Sequence, residues 1–340
     1  MINIKQILDC AGQSPILVVG DIMMDVYDFC YTEHSRSSPE RPDKRVYTSH
    51  RVEKALGGAG NVAANLAALG IKTSLISICG NDGSYFEVRR LCDEAGIEHV
   101  LVRDETRPTP VKTRLYIDDE YHLRRDDEKT HKVDRKIALT IREAFVCQLD
   151  QASAVILSDY NKGLFTEDDS QALINLCNER RIPVVVDFKP ANRTYFRNAT
   201  VVAPNLTEAC TLVPDFEVEN PLPGLKALHD LLGARNVIVT LGAHGMAVYD
   251  GKAMNLVAGR KVKAVDPCGC GDTVRACLTL GLINGMSLAD AADFANLAAS
   301  LVVQKLGTAT LTVEELLTDG SLSVTGEPPQ LRRLKYNDRS

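Results

Sequence analysis

The chain has 340 residues, enough for one large α/β domain or two smaller ones, and at this size about three quarters of the extended-chain surface can be buried. An apolar fraction of 45% beside 25% charged residues is that of an ordinary globular protein and excludes a disordered class. The net charge of -6 argues against nucleic acid or a membrane as partner, no apolar run approaches a span of roughly 20 residues, and Met1 to Gln13 lacks a signal-peptide core, so a cytoplasmic protein is expected.

Ile16 to Gly20 is a short continuous apolar run, the pattern of a buried parallel strand whose end delivers Asp21 and Asp25 to a crevice. Two carboxylates four apart suit sugar hydroxyls, a metal or the capping of turn amides, and the spacing alone does not choose. From Val26 to Val52, Tyr27, Phe29 and Tyr31 alternate ahead of a polar stretch, Glu33 to Lys44. This reads as a strand leaving the main sheet, followed by a loop that forms part of a lid. Its Arg36, Arg41 and Arg45 have the chemistry to meet a phosphate, although solvated loop charge is the plainer account of each. Leu56 to Gly70 is a glycine turn feeding an Ala-rich helix. A dinucleotide fingerprint fails there, because the spacing is not Gly-x-Gly-x-x-Gly and the turn does not follow the first strand.

Lys72 to Cys79 is a predicted strand and Tyr85 to Ala95 a predicted helix. Ile97 to Arg103, Thr109 to Ile117 and His122 to Asp126 read as short strands of a small sheet over the site, with Lys112, Arg114 and Arg124 among the polar members; an ordinary surface hairpin is the alternative. Regular alternation then resumes. Lys136 to Leu149 and Asp168 to Arg181 are helices, and Ala154 to Ser158 and Val184 to Asp187 are buried strands. Val201 to Asn205 ends before an acidic helix start at Glu208, and Val237 to Thr240 opens into Gly242 and Gly245. Polar residues repeatedly follow apolar strands, the signature of a doubly wound, mostly parallel α/β sheet with its site along the strand ends.

Val265 to Ala276 reads as a glycine bend opening directly into a helix near Gly271. The unpaired amides and positive dipole end of such a helix make an anion site, and Asp272 beside them is placed to take a proton from an alcohol. A simple capping aspartate would leave the same trace, so the bend by itself leaves both readings open. Leu288 to Lys305 is a predicted helix carrying Asn296, and Gly320 to Ser340 a peripheral tail. The ten cysteines contain no Cys-x-x-Cys pair and read as free thiols.

Taken together, Gly57-Gly58-Ala59-Gly60-Asn61 and Asp266-Pro267-Cys268-Gly269-Cys270-Gly271-Asp272-Thr273, about 200 residues apart, resemble the two motifs of the ribokinase (PfkB) carbohydrate kinase family. Gly20 to Asp25, Arg36 to Glu40, Ser158 to Gly163, Pro204 to Glu208 and Lys305 to Thr308 are most similar to the heptose 7-phosphate kinases of the ADP-heptose pathway. The resemblance implies a ribokinase-like kinase domain over residues 1–320, lid strands from about 26–52 and 109–126, and a tail at 321–340. It implies transfer from ATP, with Mg²⁺, to the anomeric hydroxyl of a heptose 7-phosphate. Asp272 becomes the general base, and the amides of Gly269, Cys270 and Gly271 the anion hole. Asp21, Asp25, Gly58 and Asn61 face the sugar, with Lys112, Arg114 and Arg124 as lid-side contacts. Asn205 and Glu208 lie near the nucleotide phosphates and their magnesium, with Glu208 as the metal residue. Thr240, Gly242 and Gly245 lie near the nucleotide and Asn296 near the adenine.

A homodimer through the lid strands is also implied. Heptose kinases are often fused to a nucleotidyltransferase domain; 340 residues leave no room for one, so that step is expected on another polypeptide. Cys268 and Cys270 stand where the family usually has Thr and Ala, which suggests oxidation sensitivity, and Arg275 where it has an apolar or small residue. The loop Arg41 to Arg45 departs from the apolar version common in heptose kinases, which bears on the acceptor sugar and leaves open a kinase of another sugar. A sugar- or nucleotide-binding regulator is the non-enzymatic alternative, disfavoured by the retained Asp272.

Overall fold

The computed structural model describes residues 7–8 and 14–319. The expected tail and most of the first 13 residues therefore lie outside the described residues. Strand β1 (Ile16–Gly20) runs through Asp21 into β2 (Ile22–Cys30). An excursion with the two-residue strands β3 (Arg36–Ser37) and β4 (Arg45–Val46) returns as β5 (Ser49–Gly58) and enters α1 (Ala59–Ala68). There follow β6 (Thr73–Cys79), α2 (Gly83–Glu94), β7 (Glu98–Arg103), β8 (Val111–Ile117), β9 (Glu120–Asp127) and α3 (Arg135–Leu149). Next come β10 (Ala154–Ser158), α4 (Glu167–Glu179), β11 (Val184–Asp187), β12 (Val201–Val202), α5 (Leu206–Leu212) and α6 (Pro221–Leu232). The chain closes with β13 (Val237–Thr240), β14 (Gly245–Tyr249), β15 (Met254–Ala258), α7 (Cys270–Ile283), α8 (Leu288–Val302) and α9 (Val313–Asp319).

The main sheet has nine strands in the order β15-β14-β13-β12-β11-β10-β1-β6-β7, all running the same way except β14, which pairs antiparallel with both β13 and β15. Every residue of β1 is buried, and period-two alternation divides them between two cores. Ile16 and Val18 join the core under α1, α2, α7 and α8, through Val62, Val88, Val274 and Leu297. Leu17 and Val19 join the core under α3, α4 and α6, through Ile137, Leu173 and Leu225. Helices on both faces make the sheet doubly wound, and strand order turns around between β1 and β10. The strand ends at that crevice carry Asp21, Asp159 and Tyr160.

The second sheet, β5-β2-β8-β9, stands over that crevice. It is fed by β1 without a turn, because β2 continues from Asp21 while its partners arrive from distant sequence. Ile97 to Arg103 was expected in this small sheet and is instead the edge of the main one: β7 pairs parallel with β6 after the crossover helix α2. The βαβ unit explains the difference, since a right-handed crossover brings the next strand back beside the last. The Glu33 to Lys44 excursion is the expected polar loop, with only the short β3 in it, paired with β4 just beyond its end. The strands β14 and β15, unmarked in the sequence pattern, extend the far edge as an antiparallel hairpin. Among the described residues no helix is long and apolar enough to cross a membrane, and all nine described cysteines are free thiols.

Candidate active site

Asp272 lies in the first turn of α7, behind Gly269, which occupies the N-cap with φ 78°. Only glycine fits this bend: its conformation is left-handed, and a Cβ added there would stand 2.7 Å from Asn61 Nδ2. The closeness has a use. Asn61 Nδ2, from the first turn of α1, donates to Asp272 Oδ2 at 2.8 Å. The Tyr160 hydroxyl, just past the end of β10, donates to Asp272 Oδ1 at 2.7 Å. Asn65 supports the arrangement by donating to Asn61 O and accepting from the Thr273 hydroxyl. Asp272 is only 4% exposed, and burial pushes its carboxyl up to about 6 against the pull of Tyr160, Arg275 and Asn61.

Asp21 is buried beside it. Its Oδ2 accepts the amides of Tyr160 at 2.8 Å and Lys162 at 3.0 Å, so it ties the β10 loop to the end of β1. Its Oδ1 has no partner, and burial together with Asp159 raises the group to about 6. An unsatisfied, buried carboxylate oxygen at a strand-end crevice is a ready acceptor for a ligand hydroxyl. Gly58, the N-cap of α1, packs between the Asp21 carbonyl and the Tyr160 ring.

The lid adds a second group. Asp25, Tyr27, Lys112, Arg114, Arg124 and Asp126 share one face of the sheet, since residues paired in register point the same way. Arg114 Nη1 donates to Asp25 Oδ1, and Thr308 Oγ1 donates to Asp25 Oδ2 at 3.0 Å. The Tyr27 hydroxyl meets Thr308 Oγ1 at 2.6 Å and accepts the Thr308 amide at 2.7 Å. Lys112 Nζ donates to Asp126 at 2.9 Å, and Glu128 bridges Lys112 and Lys162, linking the lid to the β10 loop. Arg124 is farther out, half-exposed and paired with Asp126 at 2.8 Å. Arg41 in the polar loop is exposed and paired with Asp43, as solvated loop charge should be.

Along the strand ends on the other side of Asp272, Asn205 and Glu208 form a capping box at the start of α5. Glu208 Oε1 also accepts from Lys189 Nζ at 2.6 Å, while Asp187, ending β11, accepts from Arg275. Lys189 Nζ sits 5.0 Å from the Tyr160 ring centre, so two carboxylates and two cations adjoin the Tyr160–Asp272 pair. Asn205 bridges to Thr240 at the end of β13. From there a cavity of about 330 Å³ opens, lined by Thr240, Gly242, Gly245 and Asn296 at one side and by Cys270, Gly271 and Val274 of α7 at the other. The Asn296 amide donates to Ala258 O, which fixes its orientation on the cavity wall.

The structure thus gathers Asp21, Gly58, Asn61 and Asp272 at one point, and sets Thr240, Gly242, Gly245 and Asn296 around one cavity that ends on the same helix turn. The sequence pattern singles out neither Tyr160 nor Asp187 by role. Their signal is position: each follows or ends an apolar strand at the crevice. Burial raises the Cys268 thiol and pushes Cys270 up to about 12.

Residues 13–315 match the pfkB family carbohydrate kinase pattern. The chain is 38% identical over 309 residues to the bifunctional protein HldE of Pseudomonas fluorescens, covering 89% of this chain and 62% of that protein. It is 38% identical over 328 residues to the bifunctional protein HldE of Caulobacter vibrioides, covering 95% of this chain and 66% of that one. The chain therefore spans less than two thirds of the length of these curated relatives. Among solved structures, Escherichia coli phosphofructokinase-2 in complex with fructose-6-phosphate superposes with a TM-score of 0.71 at 18% identity, covering 90% of this chain and 97% of that one. Arabidopsis thaliana ribokinase, complexed with ribose and ATP, superposes with a TM-score of 0.68 at 20% identity, covering 91% and 99%. These likenesses establish a ribokinase-like fold.

Proposed function

The chain belongs to the pfkB family of carbohydrate kinases, phosphotransferases that act on sugar hydroxyls, and from that premise we propose that it transfers the terminal phosphoryl group of ATP to the anomeric hydroxyl of a heptose 7-phosphate. The observation that carries this reading is the placement of Asp272. It is a buried carboxylate, oriented by Tyr160 and Asn61, at the helix turn shared by the cavity and the lid-covered crevice. Phosphoryl transfer asks chiefly for positioning and for stabilisation of charge on the moving group, with a base to accept the hydroxyl proton. Asp272 is that base, and the amides of Gly269, Cys270 and Gly271 form the anion hole.

Sugar binding falls to Asp21 and Asn61 at the crevice, with Asp25, held by Arg114 and Thr308, closing from the lid. Lys112, Arg114 and Arg124 share the inner charge-bearing face of the lid, where an acceptor already carrying a phosphate would find cations. The nucleotide lies in the cavity, with the adenine toward Asn296 and the phosphates toward Thr240, Gly242 and Gly245. The cavity volume, within the range of small-molecule sites, and its end on the α7 amides fit that ligand. The donor set also fits Mg²⁺. That ion takes oxygen ligands, keeps several waters and uses one or two carboxylates plus substrate phosphates, and Glu208 stands beside Asp187 at the phosphate end. Glu208 would hold the ion there, and the ion would supply charge to neutralise the phosphates.

The acceptor is chosen from the segments resembling heptose 7-phosphate kinases, in particular Lys305 to Thr308, whose Thr308 holds both Tyr27 and Asp25. A panel of sugars and sugar phosphates assayed for ADP release with ATP and magnesium tests it. Heptose 7-phosphate should give the highest kcat/KM, and a better acceptor elsewhere in the panel would reassign the substrate while leaving the kinase. A homodimer is part of the proposal: Val52 at one edge of the lid sheet and Tyr121 and Leu123 at the other are 48%, 56% and 50% exposed, the kind of surface a second copy covers.

A further inference from the structure

Arg275 is a cation where the start of a helix core calls for an apolar side chain. It follows Asp272 by one turn of α7 and is 5% exposed. Nη2 donates to Asp187 Oδ1 at 2.6 Å and to Ala203 O at 3.1 Å. Nε is buried with no partner at all, and no hydrogen bond among the described residues uses Nη1. A Cβ on Gly271 would stand 2.1 Å from Nη1 and 3.3 Å from Cζ, so the guanidinium is laid directly against the backbone of the helix's first turn. Around it stand Asp187, Tyr160, Asp272 and Glu208. Burial opposes its charge, but these neighbours outweigh burial and hold it protonated.

A purely structural counter-ion for Asp187 would be expected to spend its remaining donors on carbonyls, since buried donors left without acceptors are rare and costly. Here two of the three guanidinium nitrogens lack an acceptor, and one of them, Nη1, adjoins Gly271, the residue whose amide belongs to the anion hole. An anion bound at that turn would give Nη1 the acceptor it lacks.

We propose that Arg275 binds the migrating phosphoryl group, its Nη1 donating beside the α7 amides and its guanidinium supplying a fixed positive charge; this rests on the reading of Asp272 as the base. In the transfer, the acceptor hydroxyl oxygen forms its bond to the terminal phosphorus of the nucleoside triphosphate. The bond from that phosphorus to the bridging oxygen breaks, the electron pair leaves with the nucleoside diphosphate, and the hydroxyl proton passes to Asp272. Negative charge on the non-bridging oxygens is where a charged guanidinium donor acts best. Asp187 fixes the guanidinium in advance, so no reorganisation is needed when the phosphate arrives.

The test is Arg275→Gln, neutral but still able to donate to Asp187, measured against the wild type and Asp272→Asn. The expected result is a kcat lower by about 100-fold or more, with ADP affinity and the sugar KM within about threefold. Aluminium fluoride, a stand-in for the migrating group, should tighten ADP binding in the wild type in the presence of sugar and fail to do so in R275Q. A kcat within about threefold of wild type, or fluoride tightening that survives the substitution, overturns the inference and leaves Arg275 as the counter-ion of Asp187. If R275Q does not fold, R275Q/D187N compared with D187N removes both buried charges and gives the same two readouts. A silent Asp272→Asn beside an active R275Q sinks this inference alone, whereas an active Asp272→Asn sinks the base.

Discussion

Asp272 has two donors on its carboxylate and still holds its proton up to about 6, because taking the charge out of water outweighs both bonds. A base must be deprotonated, so kcat/KM for the free enzyme is expected to fall as pH drops through about 6. A pH profile flat to pH 5 would contradict that assignment. The linkage has the opposite sign for folding. A carboxyl raised from 3.8 to about 6 favours the folded state most at low pH and loses that contribution as pH rises through about 6. Asp272→Asn keeps both contacts, its amide oxygen accepting from Asn61 and its NH₂ donating to a rotated Tyr160 hydroxyl. It should therefore melt higher than the wild type at pH 8, by less at pH 5, and show little difference only below the unfolded value of 3.8, a comparison calorimetry makes directly. Tyr27→Phe removes one hydroxyl from the Thr308–Asp25 group, and about a tenfold rise in the sugar KM with the ATP KM unchanged is expected from steady-state kinetics. Asp272 and Asn61 were legible in the sequence, each inside a glycine motif. Tyr160 was not legible by role, because its bond to Asp272 spans 112 positions and no local pattern encodes a contact of that range.

At the scale of elements, the first turn of α7 is built around the missing side chain of Gly271. Gly271→Ala would drive a methyl into Arg275 Nη1, and since that guanidinium is fixed by Asp187 it cannot step aside freely. Loss of turnover greater than loss of stability is the expected outcome, read from kcat and a melting curve of the same sample. The junction between lid and body depends on a different buried pair. Arg107 is 4% exposed, donates to Asp104 at 2.6 Å, and reaches the carbonyls of Lys162 and His131 at 2.6 and 2.7 Å. Arg107→Met leaves the acid uncompensated and should cost about 3–5 kcal/mol in denaturant unfolding. The periodicity of the chain located nearly every buried strand and helix, because continuous apolar runs and amphipathic spacing are local properties. It misassigned β7 to the lid, since sheet membership depends on the crossover rather than on the strand's own residues. It also left β14 and β15 unmarked, where glycines and short length blur the pattern.

For the whole molecule, a doubly wound sheet with one crossing strand places acids from β1, amides from α7 and a charged lid within reach of one another. Fold and reaction class followed from two motifs far apart in the chain, whereas the lid side chains proposed to meet the acceptor have partners that only the folded molecule shows. Arg114 finds Asp25 across 89 positions, and Thr308 finds it across 283. The most direct test of the central claim is transfer from ATP to heptose 7-phosphate by the wild type and by Asp272→Asn, with ATP affinity measured on the same preparations. The wild type should turn over, and the variant should lose about 100- to 10,000-fold in kcat while binding ATP unchanged. Turnover of Asp272→Asn within about threefold of the wild type would remove this carboxylate from the chemistry.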